Sequence, residues 1–124
     1  MKKLVELALV AIVTVAIGIF AWTGIGNAAP PLKTAAGSTA EAHNNEGIEQ
    51  YNQKDWQDAQ DHFKEAVKAD PQSGEAHYNL ALALDKLGQH MSAAKRFKMA
   101  ADVGQNNPEI QNSGILKAHL KMLK

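Results

Sequence analysis

Imidazole and carboxylate side chains are the groups best suited to chemistry in this sequence, which contains five His, thirteen Asp or Glu and no Cys. Without thiols there is no disulfide, no thiolate zinc site and no cysteine nucleophile. His43 and His77 stand 34 residues apart, and on adjacent helices their side chains would lie within about one helix spacing, roughly 8–10 Å between axes. No His pair at i, i+4 and no acidic third ligand accompanies them, so no metal site is expected. His62, His90 and His119 are scattered along the chain and read as surface residues. Asp55, Asp58 and Asp61 recur every third residue, which places them along one helix face. Acid–base catalysis would need a burying cleft and unequal pKa values, so a solvated acidic face explains them better. There is no Gly-x-Ser-x-Gly turn and no glycine-rich strand-to-helix loop for phosphates. Neither an enzyme nor a bound cofactor or small-molecule substrate is expected.

The elements that carry these residues fall into three kinds of sequence. Leu7 to Phe20 is apolar except for Thr14 and Gly18, and no charge stands between Glu6 and Lys33. As a helix, Leu7 to Ile25 would span roughly 28 Å, about the thickness of a hydrocarbon core. With Lys2 and Lys3 in front and Gly26-Asn27-Ala28 behind, residues 1–27 fit either a secretory signal cleaved after Ala28 or Ala29, or a retained membrane anchor. The length of the apolar run favours the anchor. Both readings export everything that follows, either held at the cytoplasmic (inner) membrane with the C-terminal domain on the periplasmic side, or released as a soluble periplasmic or secreted protein. Residues 28–39, rich in Ala, Pro, Gly, Ser and Thr, read as a linker whose work is spacing.

Residues 40–124 repeat internally. At an offset of 34, Glu41 pairs with Glu75, Ala42 with Ala76, His43 with His77, Asn45 with Asn79, Ala59 with Ala93, Phe63 with Phe97, Lys64 with Lys98 and Ala66 with Ala100. A period of this length is that of a two-helix unit stacking on its copies. Leu80, Leu84 and Leu87 mark the first helix of the second unit, and Ala93, Phe97 and Ala100 mark its second. Small Ala residues let the helices approach while one Phe fills the space between their ridges. Ala59, Phe63 and Ala66 do the same in the first unit, which Asp70-Pro71 closes, and Tyr51 and Trp56 flank its internal turn.

From Gly47 through Tyr51, Trp56, Ala59, Phe63 and Ala66 to Pro71, and again through Leu80, Ala81, Leu84, Gly88, Ala93, Phe97 and Ala100, the chain resembles the tetratricopeptide repeat family. The resemblance implies an all-α fold with one repeat at 40–71 and a second at 72–107; a C-terminal capping helix is expected at 108–124, and the hydrophobic N-terminal helix precedes them all. Asn107-Pro108 makes a good start for the cap, and Ser113-Gly114 weakens its middle. Glu46 and Gln50 replace residues that the family usually keeps apolar or aromatic, so the first helix is expected to be the polar, poorly buried end.

The resemblance also implies a groove lined by the first helix of each repeat. In repeat one this is Glu41, Asn44, Asn45, Ile48, Tyr51 and Asn52; in repeat two it is Glu75, Tyr78, Asn79, Leu82, Asp85 and Lys86. Asn side chains can hydrogen-bond the backbone of an extended peptide, and Tyr and Leu can supply apolar pockets. Removing the Tyr78 ring should then spare the fold. The family includes co-chaperones that grip a C-terminal carboxylate with Lys and Arg, and Glu41 and Glu75 disfavour that ligand here.

Thirteen Lys or Arg balance the thirteen acidic residues, giving no excess positive charge for nucleic-acid binding. The balance is uneven along the chain: residues 41–85 hold ten acidic and three basic side chains, residues 86–124 two acidic and seven basic. Such a dipolar domain suits a basic protein partner, or equally head-to-tail self-association. The expected function is a non-enzymatic adaptor that helps assemble an envelope protein complex; a small structural subunit or self-associating scaffold of a membrane complex is the alternative.

Overall fold

The computed structural model describes residues 29–124, whose regular secondary structure is all helical. The apolar segment read as signal or anchor lies outside the described residues; among the described residues, no helix is long and apolar enough to cross a membrane. The helices are α1 (Glu41–Asn52), α2 (Trp56–Ala69), α3 (Gly74–Lys86), α4 (His90–Val103), α5 (Pro108–Gln111) and α6 (Gly114–Leu120), followed by a 3-10 turn at Lys121–Leu123. Each helix starts where a side chain can take up an orphaned N–H, or where the preceding turn delivers it. Asp55 accepts from Asp58 N–H at 3.2 Å to begin α2, and Ser73 accepts from Ala76 N–H at 3.1 Å to begin α3. Asp55 is thus a cap, while Asp58 and Asp61 face solvent.

Packing follows the pairing α1–α2 and α3–α4, with α2 against α3 and α6 against α4. Phe63 and Phe97 are each fully buried, as are Ala59, Ala66, Ala81, Ala93 and Ala100, with Leu80 and Leu84 almost so. The small residues let the paired helices close around one ring per repeat. At Gly47 the approach is so tight that a Cβ would stand 2.5 Å from Cδ1 and Cε1 of Phe63. Pro71, by contrast, is exposed at the repeat boundary. In α1 only Asn44, Gly47 and Tyr51 are buried. In α3 every residue from Ala76 to Leu84 is buried, because α3 is enclosed by α2, α4 and the segment preceding α1.

Two expectations need correction. The cap is broken in two: Ser113 leaves α5 and becomes the N-cap of α6, accepting from Leu116 N–H at 3.4 Å. The Ser113-Gly114 pair thus ends one helix and starts another rather than weakening a single one. The linker, moreover, is no simple spacer. Leu32 joins the main core cluster and Ala29 packs against it.

Candidate functional site

The faces of α1 and α3 meet along a line that holds an extended stretch of the same chain. Pro30 and Pro31 bring that stretch in with φ already fixed and no N–H to satisfy, and Pro31 disfavours helical backbone at the residue before it. Leu32 is then read by two carboxamides. Its N–H donates to Asn79 Oδ1 at 2.7 Å, while Asn79 Nδ2 donates at 2.7 Å to the Leu32 carbonyl. Asn44 Nδ2 donates to that carbonyl at 3.0 Å, and Asn79 Nδ2 also donates to Asn44 Oδ1 at 2.8 Å. Both Asn side chains are fully buried, where an unpaired carboxamide would be costly. The contacts grip main chain and leave sequence discrimination to the Leu32 pocket.

The rest of the stretch is tied down on either side. Ala29, Pro30 and Leu32 border a cleft with Tyr78, Glu109, Ser113 and Gly114. Lys33 and Thr34 lie along Glu41, Asn45, Ile48, Glu49 and Asn52. Glu41 accepts from Gly37 N–H at 2.6 Å, and Thr39 Oγ1 donates to the Ala69 carbonyl at 3.0 Å.

The twelve expected groove residues separate into distinct environments. Asn44 and Asn79 form the clamp, and Glu41, Asn45, Ile48 and Asn52 flank the bound stretch. Tyr51, Tyr78 and Leu82 are core residues. Tyr51 meets Trp56 edge-on at 4.9 Å, and burial, aided by the Asp85 charge, pushes its hydroxyl up to about 12. Tyr78 meets Phe97 edge-on at 5.4 Å and shares a 2.8 Å hydrogen bond with Ser113; burial raises its pKa as well. Truncating Tyr78 therefore opens a core cavity instead of sparing the fold. Glu75 accepts from Asn107 Nδ2 at 2.9 Å, linking α3 to the start of the cap. The Lys86 ammonium sits 5.4 Å from the centre of the Trp56 ring.

Histidines that look scattered in sequence come together in space. Among the described residues, His43, Glu46 and His62 form one group with metal-ligating atoms close together, and Asp85, His90 and His119 form another. In the first, His62 Nδ1 lies 3.0 Å from Glu46 Oε2. In the second, Asp85 Oδ1 lies 2.7 Å from His90 Nδ1 and 2.8 Å from His119 Nε2. His77 belongs to neither: its Nε2–H donates to the Pro71 carbonyl at 2.8 Å, and burial lowers its pKa. Each grouping is completed from another helix: His43 and Glu46 share α1 while His62 comes from α2, and Asp85, His90 and His119 come from α3, α4 and α6.

The tetratricopeptide repeat model matches residues 51–120. No curated protein matches the chain.

Proposed function

Because the chain belongs to the tetratricopeptide repeat family, whose repeats generally mediate protein–protein interaction, we propose that it is a non-enzymatic adaptor whose α1–α3 groove binds extended polypeptide and whose own residues 29–34 are the resident ligand. The observation that carries this reading is the clamp on Leu32: two buried carboxamides satisfy the N–H and C=O of one residue. A partner segment able to present an N–H, a C=O and one apolar side chain would take the same place. The apolar run of residues 7–20 and the paired lysines ahead of it support export or anchoring at the cytoplasmic membrane, where the adaptor would help organise an envelope complex.

The test uses the full chain. A labelled peptide with the sequence of residues 29–36 is titrated into the wild type, into Leu32→Asp, and into Leu32→Asp combined with Asn79→Ala. Expulsion of the charged side chain from its pocket frees the groove, so Leu32→Asp takes up peptide at least about tenfold more tightly than the wild type, where each 1.4 kcal/mol of competition is tenfold. Adding Asn79→Ala abolishes the gain. Equal binding by all three proteins, or none by Leu32→Asp, would overturn the reading.

The separation of acidic residues in 41–85 from basic residues in 86–124 supports a second reading, in which copies associate head to tail as a scaffold. Dissociation of an oligomer with rising salt, followed by sedimentation, is its signature.

A further inference from the structure

We propose that Asp85, His90 and His119 form a binding site for a first-row divalent metal ion of the zinc class. The three residues come from three elements: Asp85 from the last turn of α3, His90 from the first residue of α4, and His119 from α6. His119 is largely buried, its ring 4.9 Å from that of Phe97, while His90 is more than half exposed. The site therefore has a fixed inner wall and one side open to water.

Hydrogen-bond directions make the case for a cation. His119 Nδ1 lies 2.9 Å from the Ile115 carbonyl, which can only accept, so Nδ1 carries the proton. In the neutral ring Nε2 is then a bare lone pair, yet it faces Asp85 Oδ1, another acceptor, at 2.8 Å. Two lone pairs at that distance repel unless a proton or a metal ion stands between them. Metal-ligating histidines commonly donate their other ring N–H to a backbone carbonyl, which sets the tautomer and the ring orientation. His119 already has that arrangement.

The donor set narrows the ion. Two imidazole nitrogens and a carboxylate suit zinc, nickel, copper or iron(II), whereas calcium and magnesium want more oxygen donors. With bonds of about 2.05 Å, tetrahedral ligand atoms stand about 3.3 Å apart, so the present 2.7 and 2.8 Å separations would open by about half an ångström. The exposed His90 and the helix-end position of Asp85 allow that. His90 would bind through Nδ1 and move its proton to Nε2. Occupancy would fasten the internal turn of the second repeat to α6 of the cap.

The experiment is calorimetric titration of zinc chloride into the full chain prepared without a polyhistidine tag, with millimolar magnesium present. His90→Ala and Asp85→Asn are the test variants, because neither empties the core as His119→Ala would. His62→Gln controls for the His43–Glu46–His62 group. The expected result is one saturable site per chain in the wild type and in His62→Gln, at least tenfold weaker in His90→Ala and Asp85→Asn, with zinc raising the wild-type melting temperature. Absence of binding in the wild type, loss of the site in His62→Gln, or retention of full affinity in His90→Ala and Asp85→Asn would each overturn the proposal.

Discussion

A carboxamide that offers its oxygen to the N–H and its nitrogen to the C=O of one residue imitates a strand partner, and Asn79 does this for Leu32. Replacing Asn79 by Ala leaves a buried N–H without a partner and removes the support of Asn44, costing about 2–3 kcal/mol. Asn45→Ala should change stability by less than about 0.5 kcal/mol, since Asn45 is exposed. Chemical unfolding of both variants checks this contrast. The sequence alignment pairs Asn45 with Asn79, whereas the clamp uses Asn44, one residue earlier. Two helices that face each other across a groove present different angular positions to it, so repeat equivalence does not identify the pair. His77 supplies a second test. Its Nε2–H donates to the Pro71 carbonyl, and burial holds its folded pKa below the ordinary 6.5. The unfolded chain therefore takes the proton first as pH falls; the contribution is complete above about 6.5 and is lost on acidification below it. An imidazole NMR titration midpoint below 6.5 is expected for His77, and a midpoint at or above that value would contradict the burial argument.

At the scale of the element, the two intra-repeat turns show how far the sequence can be read. Lys54 and Gly88 occupy the same place in the period and share left-handed backbone, with φ of 64° and 79°. The same two hydrogen bonds close each turn: Asp55 N–H donates to the Gln50 carbonyl and Gln89 N–H to the Leu84 carbonyl, each at about 3 Å, while Lys54 and Gly88 N–H donate to Tyr51 and Asp85. This is the helix-ending arrangement that glycine serves best. Lys54→Gly should therefore raise stability by about 0.5–1 kcal/mol, measured as a higher denaturation midpoint with an unchanged slope. The repeat register, the helix pairs and the Phe63 and Phe97 cores were legible because each is a local spacing of small and large residues. The broken cap was half legible, as Ser-Gly punctuation. The docked linker was not legible at all: its Ala-Pro-Gly-Ser-Thr composition describes how freely such a stretch moves alone, and says nothing of the buried Asn pair that captures it. The metal-ligating groups escaped for a related reason, since each is completed by a residue from another helix, up to 34 positions away.

On the scale of the whole molecule, docking of residues 29–34 makes the approach to the domain a fixed strut. Ala29 and Pro30 border the same cleft as Ser113 and Gly114, so the chain enters the folded unit beside the cap and crosses α3 and α1 before turning into the first repeat. A partner that displaces this stretch would bind the groove and, in the same event, lengthen the connection to whatever precedes residue 29. Groove occupancy and domain reach are thereby one equilibrium, with the Asn44–Asn79 clamp on one side of it. Limited trypsin digestion reads that equilibrium directly. Lys33 is exposed, but a protease must draw several flanking residues into its cleft, and Leu32 is held in the core, so cleavage after Lys33 requires the stretch to leave the groove. When opening is fast relative to cleavage, the rate follows the open population. Leu32→Asp should therefore speed cleavage after Lys33 at least about tenfold, corresponding to 1.4 kcal/mol of lost docking free energy, while cleavage after Lys54 in the exposed first turn stays unchanged. Peptide added in trans to Leu32→Asp should leave Lys33 as labile as before, because the groove is then filled by another chain. A Lys33 rate that is the same in wild type and variant would mean that the stretch leaves the groove freely.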